Sequence, residues 1–320
     1  IITDINMQKR AKGLVTKVFG RHYTVESGGI EYDSFLKGKM RIDSSWHQMT
    51  NPVAVGDIVD IIIENDSDPR AVIESVCERK NKISRKEKGK NSREDIIAAN
   101  LDLIMIVQSF SDPFMNLRFA DRVYVKANNS SIPVALCVNK SDLSCDETES
   151  YLDEYYSKSG LKIFKTSCVS GSGISEVASY IKNKHVLFIG VSGCGKSSLI
   201  NKIFPEKNLK VSEVSESTGK GRHTTTNTIM YRIDKKTAII DSPGLREFGI
   251  PDIEEYELSD YFYEFKKYSS KCQFSGCSHD HEPGCEIQRA LDKGKIYEGR
   301  YISYINILES LREYKRWKYR

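Results

Sequence analysis

The chain has 320 residues, 39% of them apolar, with eight cysteines and a net charge of +4. That length suggests two or three domains. No apolar run nears the ~18 residues of a membrane span, and residues 1–4 show no basic stretch leading into an apolar one, which argues against a secretory signal.

From the N-terminus, segments 13–18, 23–25 and 55–63 are rich in β-branched residues and broken by Gly, Asn and Asp. No helical stripe interrupts them, so short strands forming a small β-barrel are predicted. Residues 79–93 carry eight Lys or Arg against Glu87, with few apolar residues, and read as a linker or mobile arm. From residue 94, apolar runs at 101–107, 133–138, 163–164, 185–189 and 237–240 alternate with helical segments at 117–128, 146–159, 173–183 and 196–203. Such alternation predicts a mostly parallel sheet covered on both faces. Beyond Gly249 the rhythm is lost. Residues 251–320 read as short helices around a Cys/His cluster, ending in a helix whose last nine residues carry five Lys or Arg against Glu313.

The run 185–189 leads into Gly190, Val191, Ser192, Gly193, Cys194, Gly195, Lys196 and Ser197, which matches G-x-x-x-x-G-K-[ST]. Glycines in this pattern let backbone N–H groups turn toward phosphate oxygens. Lys196 would reach the β- and γ-phosphates, and Ser197 would offer a hydroxyl to Mg²⁺. The helix from Ser198 onward would aim its positive end at the anion. A bland Gly-rich turn could carry the same glycines, but the strand before and the helix after favour a phosphate loop.

Run 134–138 ends in Asn139, Lys140, Ser141 and Asp142. The Asp142 carboxylate can accept two hydrogen bonds, from the ring N–H and exocyclic amine of guanine; adenine has no such donor pair. Lys140 can lie along the base plane, and Asn139 can tie this loop to the phosphate loop. After the next strand, Thr166, Ser167 and Cys168 resemble the guanine-backing turn of G proteins, with Cys168 where Ala is usual.

Asp241-Ser242-Pro243-Gly244 matches D-x-x-G: Asp241 would hold the Mg²⁺ shell through water and the Gly244 amide would sense the γ-phosphate. Between the two phosphate motifs, Gly219, Gly221, Arg222, His223 and three threonines form a basic loop able to fold over phosphates, with Thr225 the expected magnesium-binding hydroxyl. Leu245 occupies the position where G proteins often carry a water-orienting Gln. His223 is then the internal candidate for orienting the attacking water, although a solvent-facing loop histidine has equal weight. The base-reading motifs precede the phosphate loop, so the order is circularly permuted relative to an ordinary G domain.

Cys272, Cys277, His279 and Cys285 supply three thiolates and an imidazole, a closed set suited to structural zinc; on spacing alone His281 could replace His279. Three of the five scattered cysteines lie in strand-like runs or beside the phosphate loop, as free thiols do in a reduced compartment. A cytoplasmic protein is the simplest fit.

With these motifs in this order, the sequence resembles the ribosome small-subunit-dependent GTPase A family (RsgA, YjeQ or EngC) over nearly its whole length. Gly221, Arg222, His223, Thr224 and Thr225 carry the resemblance, and Asp121 with Arg122 matches the family's first G-domain helix. The resemblance implies a multi-domain fold: an N-terminal OB-type β-barrel (1–80), a basic linker (81–93), a circularly permuted α/β P-loop GTPase domain (94–250) and a mainly α zinc-binding domain (251–320). It selects His279 as the fourth zinc ligand and gives His223 a hydrolytic role. It further implies GTP hydrolysis stimulated by the small ribosomal subunit, with a role in late maturation of that subunit. The barrel, the basic stretch and the basic aromatic tail (Tyr314, Trp317, Tyr319) are candidate rRNA contacts. The expected partners are GTP or GDP and the small subunit with its rRNA, for a monomer without a membrane. The competing reading is an RNA-binding module with a vestigial nucleotide site. Lys196, Ser197, Asp241 and Asp142 argue against it, and Asp142 argues against an ATP-using RNA enzyme.

Overall fold

The computed structural model describes residues 9–38, 49–65, 68–86, 94–205, 228–241 and 253–318. It divides into two compact units, one drawn from Ile1–Ile104, Ala178–Ile189 and Phe204–Leu245, the other from Met105–Val177, Gly190–Ile203 and Arg246–Arg320.

The first unit begins with β1 (Lys9–Phe19), β2 (His22–Ser27) and β3 (Ile30–Leu36), an antiparallel meander. The short β4 (Met49–Asn51) follows, then β5 (Ile58–Asn65) and β6 (Asp68–Val76). Hydrogen-bonded neighbours run β1–β2–β3–β6–β5, and β5 pairs back onto β1, which closes a five-stranded barrel. Its β3–β6 pair is parallel and the others antiparallel, the Greek-key pattern of an OB barrel. Alternation drives closure: Val15, Tyr23, Val25, Val59, Ile61 and Ile73 point inward and are essentially fully buried. Gly13 is needed where β1 and β2 cross closely, because a Cβ there would collide with Val25 Cγ1.

β1 has two uses. Its first half pairs with β5, and a register shift between Val15 and Lys17 then turns it. Beyond the shift, Lys17 and Val18 pair with Ile229 and Thr228 of β13 (Thr228–Arg232), another strand of this unit. Arg232 Nη1 adds a 2.8 Å contact to Glu26 Oε1 of β2.

β7 (Lys82–Lys86) and β8 (Glu94–Ala99) are antiparallel and share a small sheet with β4. Residues 82–86, expected in a linker, are therefore a strand. Across the pair, Lys82 bonds to Glu94 and Arg85 to Asp95, each at 2.8 Å, so charges that read as a solvated run are matched by the next strand. Residues 87–93 lie outside the described residues.

β9 (Leu103–Ser109) is buried at every position, as expected of a strand covered on both faces. In the second unit it is followed by α1 (Leu117–Asn129), β10 (Val134–Asn139), α2 (Asp146–Tyr156) and β11 (Lys162–Lys165), with hydrogen-bonded neighbours β9–β10–β11. Asn116 caps α1 by accepting from the Phe119 amide at 3.0 Å, and three acids in the first turn of α2 suit its positive end. α3 (Ile174–Ile181) leads to β12 (His185–Gly190) and then α4 (Lys196–Ile203). β13 (Thr228–Arg232) and β14 (Ala238–Asp241) belong to the first unit, where β14 runs parallel to β12 and antiparallel to β13.

The C-terminal region of the second unit carries 3₁₀ turns at Glu255–Tyr261 and Tyr263–Phe265, then α5 (Lys266–Ser269), α6 (Glu286–Asp292) and the long α7 (Glu298–Lys318). Phe262, Phe265, Ile287, Tyr304 and Leu308 form its core together with Cys277 and Cys285. No described helix is long and apolar enough to cross a membrane.

Candidate nucleotide site and metal centre

Gly190 ends β12, and Gly193 and Gly195 both sit at positive φ, 84° and 83°. That left-handed backbone is the conformation a phosphate loop demands of its glycines. A Cβ at Gly195 would collide with the Asn139 amide, and one at Gly190 would strike the Val107 carbonyl. Cys194 is buried and anchors the loop, while Ser192, Gly193 and Ser198 are exposed. The Leu199 amide donates to the Gly195 carbonyl at 2.8 Å, which starts the helix at Lys196 and leaves its first amides facing the loop.

The base motif meets this loop within the same unit. Asn139, 1% exposed, donates from Nδ2 to the Cys194 carbonyl at 3.2 Å. Lys140 adopts a left-handed turn at φ 59°, and its ammonium bonds to the Asp112 carbonyl. The Asp112–Met115 segment thus touches both motifs, since Pro113 is also the neighbour a Gly193 side chain would meet. Asp142 is exposed on a 3₁₀ turn, Ser141–Leu143, and Ser167 Oγ donates to its carboxylate. Ser167 is fully buried, and its Oγ also accepts from the Val169 and Ser170 amides at 3.2 and 3.1 Å. The Ser141 amide bonds to the Thr166 carbonyl at 2.9 Å, so the base turn and the 166–168 turn form one block. Cys168 Sγ faces Asn139 Oδ1 at 3.5 Å.

Thr166, named above only as the first residue of the guanine-backing turn, has a bonding role that motif spacing does not assign. Fully buried, it donates from Oγ1 to Asn139 Oδ1 at 3.2 Å. The signal available in the sequence was a hydroxyl directly after a strand and before the Ser167 turn.

Asp241 is the last residue of β14, 8% exposed, and stands in register with Phe188 of β12. His223, Thr225 and Gly244 lie outside the described residues, as do the whole of 219–226 and 242–249.

The Cys/His cluster is assembled. One ligand atom from each of Cys272, Cys277, His279 and Cys285 falls within 4.8 Å of the others. His279 Nδ1 lies 3.6 Å from Cys272 Sγ and 3.5 Å from Cys285 Sγ. A tetrahedral zinc with sulfur at about 2.3 Å and nitrogen at about 2.0 Å sets that edge near 3.5 Å, so the donor set fits one such ion. Geometry also separates the two histidines: His279 is 2% exposed inside the cluster, whereas His281 is exposed beside Asp280. Burial pushes the Cys277 thiol up to about 12 and holds the His279 imidazole below its usual value. Neutral imidazole is the ligating form, and thiols packed this closely ionise only against a central cation.

Hydrogen bonds around the cluster hold its loop in place. Tyr301 and Tyr304 donate to the carbonyls of His279 and Ser278 at 2.8 and 2.7 Å. Glu282 accepts the Ser278, Asp280 and His281 amides at 2.7, 3.2 and 3.3 Å. Partial burial opposes ionisation of Glu282, but its bonds from Ser278 and the backbone outweigh that and hold the carboxyl down at about 2.

A family model described as RsgA GTPase matches residues 76–251. Curated relatives include the small ribosomal subunit biogenesis GTPase RsgA of Phocaeicola vulgatus, 40% identical over 95% of this chain and 98% of its own length. That of Flavobacterium psychrophilum is 39% identical over 93% and 92%. Among solved structures, YjeQ from Thermotoga maritima superposes with a TM-score of 0.72 at 31% identity, covering 95% of this chain and 99% of that one. YloQ, a circularly permuted GTPase, shares the fold at a TM-score of 0.68 and 24% identity, with 98% of each chain covered.

Proposed function

The chain belongs to the RsgA GTPase family, and from that premise we propose that it binds the small ribosomal subunit, acts late in its maturation and leaves it on hydrolysing GTP. The observation that carries this reading is the bond from Asn139 to the Cys194 carbonyl, which ties a guanine-type base motif to a phosphate loop.

Asp142, oriented by Ser167, accepts the guanine N–H groups, Lys140 lies along the base and the Cys168 amide backs it. Amides from Gly190 to Ser198 cradle the phosphates with Lys196. Ser197 and Thr225 would hold Mg²⁺, with Asp241 acting on its water shell. Bound there, the ion would neutralise charge developing on the transferred phosphoryl group. Gly244 senses the γ-phosphate, and His223 orients the attacking water in place of the side chain Leu245 lacks. Segments 219–226 and 241–249 respond to the γ-phosphate and alter the pose of the zinc region, and with it affinity for the small ribosomal subunit. The cell compartment is the cytoplasm and the working state a monomer.

The test is GTP turnover with and without purified small ribosomal subunits. Stimulation of at least about tenfold is expected, because partner-supplied groups are worth far more than that in related phosphoryl transfers. Absence of turnover in both conditions would favour the RNA-binding module with a vestigial site. His223→Ala is expected to slow turnover about 10²-fold with GTP affinity unchanged, the usual scale for one positioned acid–base group. Unaltered turnover would remove His223 from the mechanism.

A further inference from the structure

The base motif rests on a buried polar chain that begins at a residue no motif contains. Cys137 lies on β10, two residues before Asn139, and is fully buried. Its Sγ is 3.3 Å from Thr166 Oγ1, and Thr166 Oγ1 is 3.2 Å from Asn139 Oδ1. Asn139 Nδ2 in turn meets the Cys194 carbonyl.

Donor and acceptor counting gives this chain a direction. The Cys194 carbonyl only accepts, so the Asn139 atom facing it must be the amide nitrogen. Oδ1 then faces two donors, the Thr166 hydroxyl at 3.2 Å and, farther off, the Cys168 thiol at 3.5 Å. Thr166 Oγ1 is left as an acceptor, and the donor it faces is the Cys137 thiol. Reversing the Cys137–Thr166 bond would turn the Thr166 lone pairs toward Asn139 Oδ1 and leave that oxygen only the longer bond from Cys168 Sγ.

We propose that Cys137 is a positioning residue for guanine-nucleotide binding, its thiol polarising Thr166 so that Asn139 is locked onto the phosphate loop. The proposal rests on the nucleotide-site reading above. Burial pushes the Cys137 thiol up to about 12, which keeps it protonated and donating at neutral pH. The lock has a second part: Gly195 has no Cβ, and its space is taken by the Asn139 amide. Rotation of Asn139 therefore removes both the bond to Cys194 and the packing over Gly195.

The experiment uses the full metal-loaded chain, a fluorescent GDP analogue with Mg²⁺, and two substitutions that separate packing from polarity. Cys137→Val suits an apolar strand position and removes the donor. Cys137→Ser keeps a donor and buries a more polar group. We expect Val to weaken GDP binding about fivefold to tenfold, the scale of one buried hydrogen bond, with the melting midpoint within about 2 °C of the parent. Ser is expected to bind within about twofold of the parent although its midpoint falls. A purely structural role predicts the reverse, with affinity following the midpoint. Unchanged GDP binding by the Val variant, or equal weakening by both variants, overturns the proposal. A parent chain that binds no guanine nucleotide defeats the functional reading itself and this inference with it.

Discussion

Chelation under reducing conditions is expected to remove one zinc ion per chain and to lower the melting midpoint by at least about 10 °C, because metal binding at a closed Cys₃His site is itself folding free energy. The effect should be large here because the ligands are not appended to a finished core. Cys277 and Cys285 are core members, in one cluster with Phe262, Phe265, Ile287 and Tyr304. The polypeptide between them contains little regular structure beyond the bonds around Glu282. Without a cation, three thiols and an imidazole would have to pack in a space where burial already disfavours thiolate. Cys285→Ser should act in the same direction, with loss of bound zinc by metal analysis and of aromatic near-UV dichroism from Tyr304 and its neighbours. Acid should release the metal progressively, since protons compete for the thiolates and for His279. Freshly purified, reduced protein without zinc, or a midpoint indifferent to chelation, would refute the assignment.

The phosphate loop, the 139–142 turn and the Cys/His cluster were legible because each packs its chemistry into a short span with fixed spacing. Strand-helix alternation gave the sheet for the same reason, since period and length are local properties. Features that depend on a distant partner were not legible. Residues 82–86 look like a linker until the acids of β8 pair with them. The second use of β1, against β13, depends on a register shift that no composition rule announces. Thr166 gains meaning only when β11 lies beside β10 and its hydroxyl reaches Asn139. His279 and His281 were equal on spacing, but only His279 stands among the three cysteines, while His281 is exposed.

The same limit applies to Arg300, and its replacement is expected to cost about 3–5 kcal/mol, the usual result of stranding buried charge. Arg300 lies on α7, and its side chain is 3% exposed. Its guanidinium is bonded to Asp121 of α1, 179 residues away in sequence, and at 2.6 Å to Glu264. The guanidinium carbon also sits 4.6 Å from the Phe262 ring centroid and 5.4 Å from that of Tyr156. Tyr155 and Tyr156 of α2 donate to the Asp121 carboxylate at 2.7 and 3.0 Å, which spreads a charge that one cation shared by two acids does not fully balance. Gly299 permits the approach, since a Cβ there would stand 2.9 Å from the Tyr155 ring. Arg300→Met preserves much of the apolar volume and leaves the buried Asp121 and Glu264 carboxylates without their cation. Adding Asp121→Asn and Glu264→Gln to Arg300→Met should recover part of the loss, because the dominant cost is uncompensated charge rather than the missing side chain. A triple variant no more stable than Arg300→Met would show that the guanidinium acts by packing against Phe262 and Tyr156. α2 begins just after the Asp142 turn, so the same network is a bracket between the metal region and the base motif. Arg300→Met is accordingly expected to weaken guanine-nucleotide binding as well as to lower the melting midpoint.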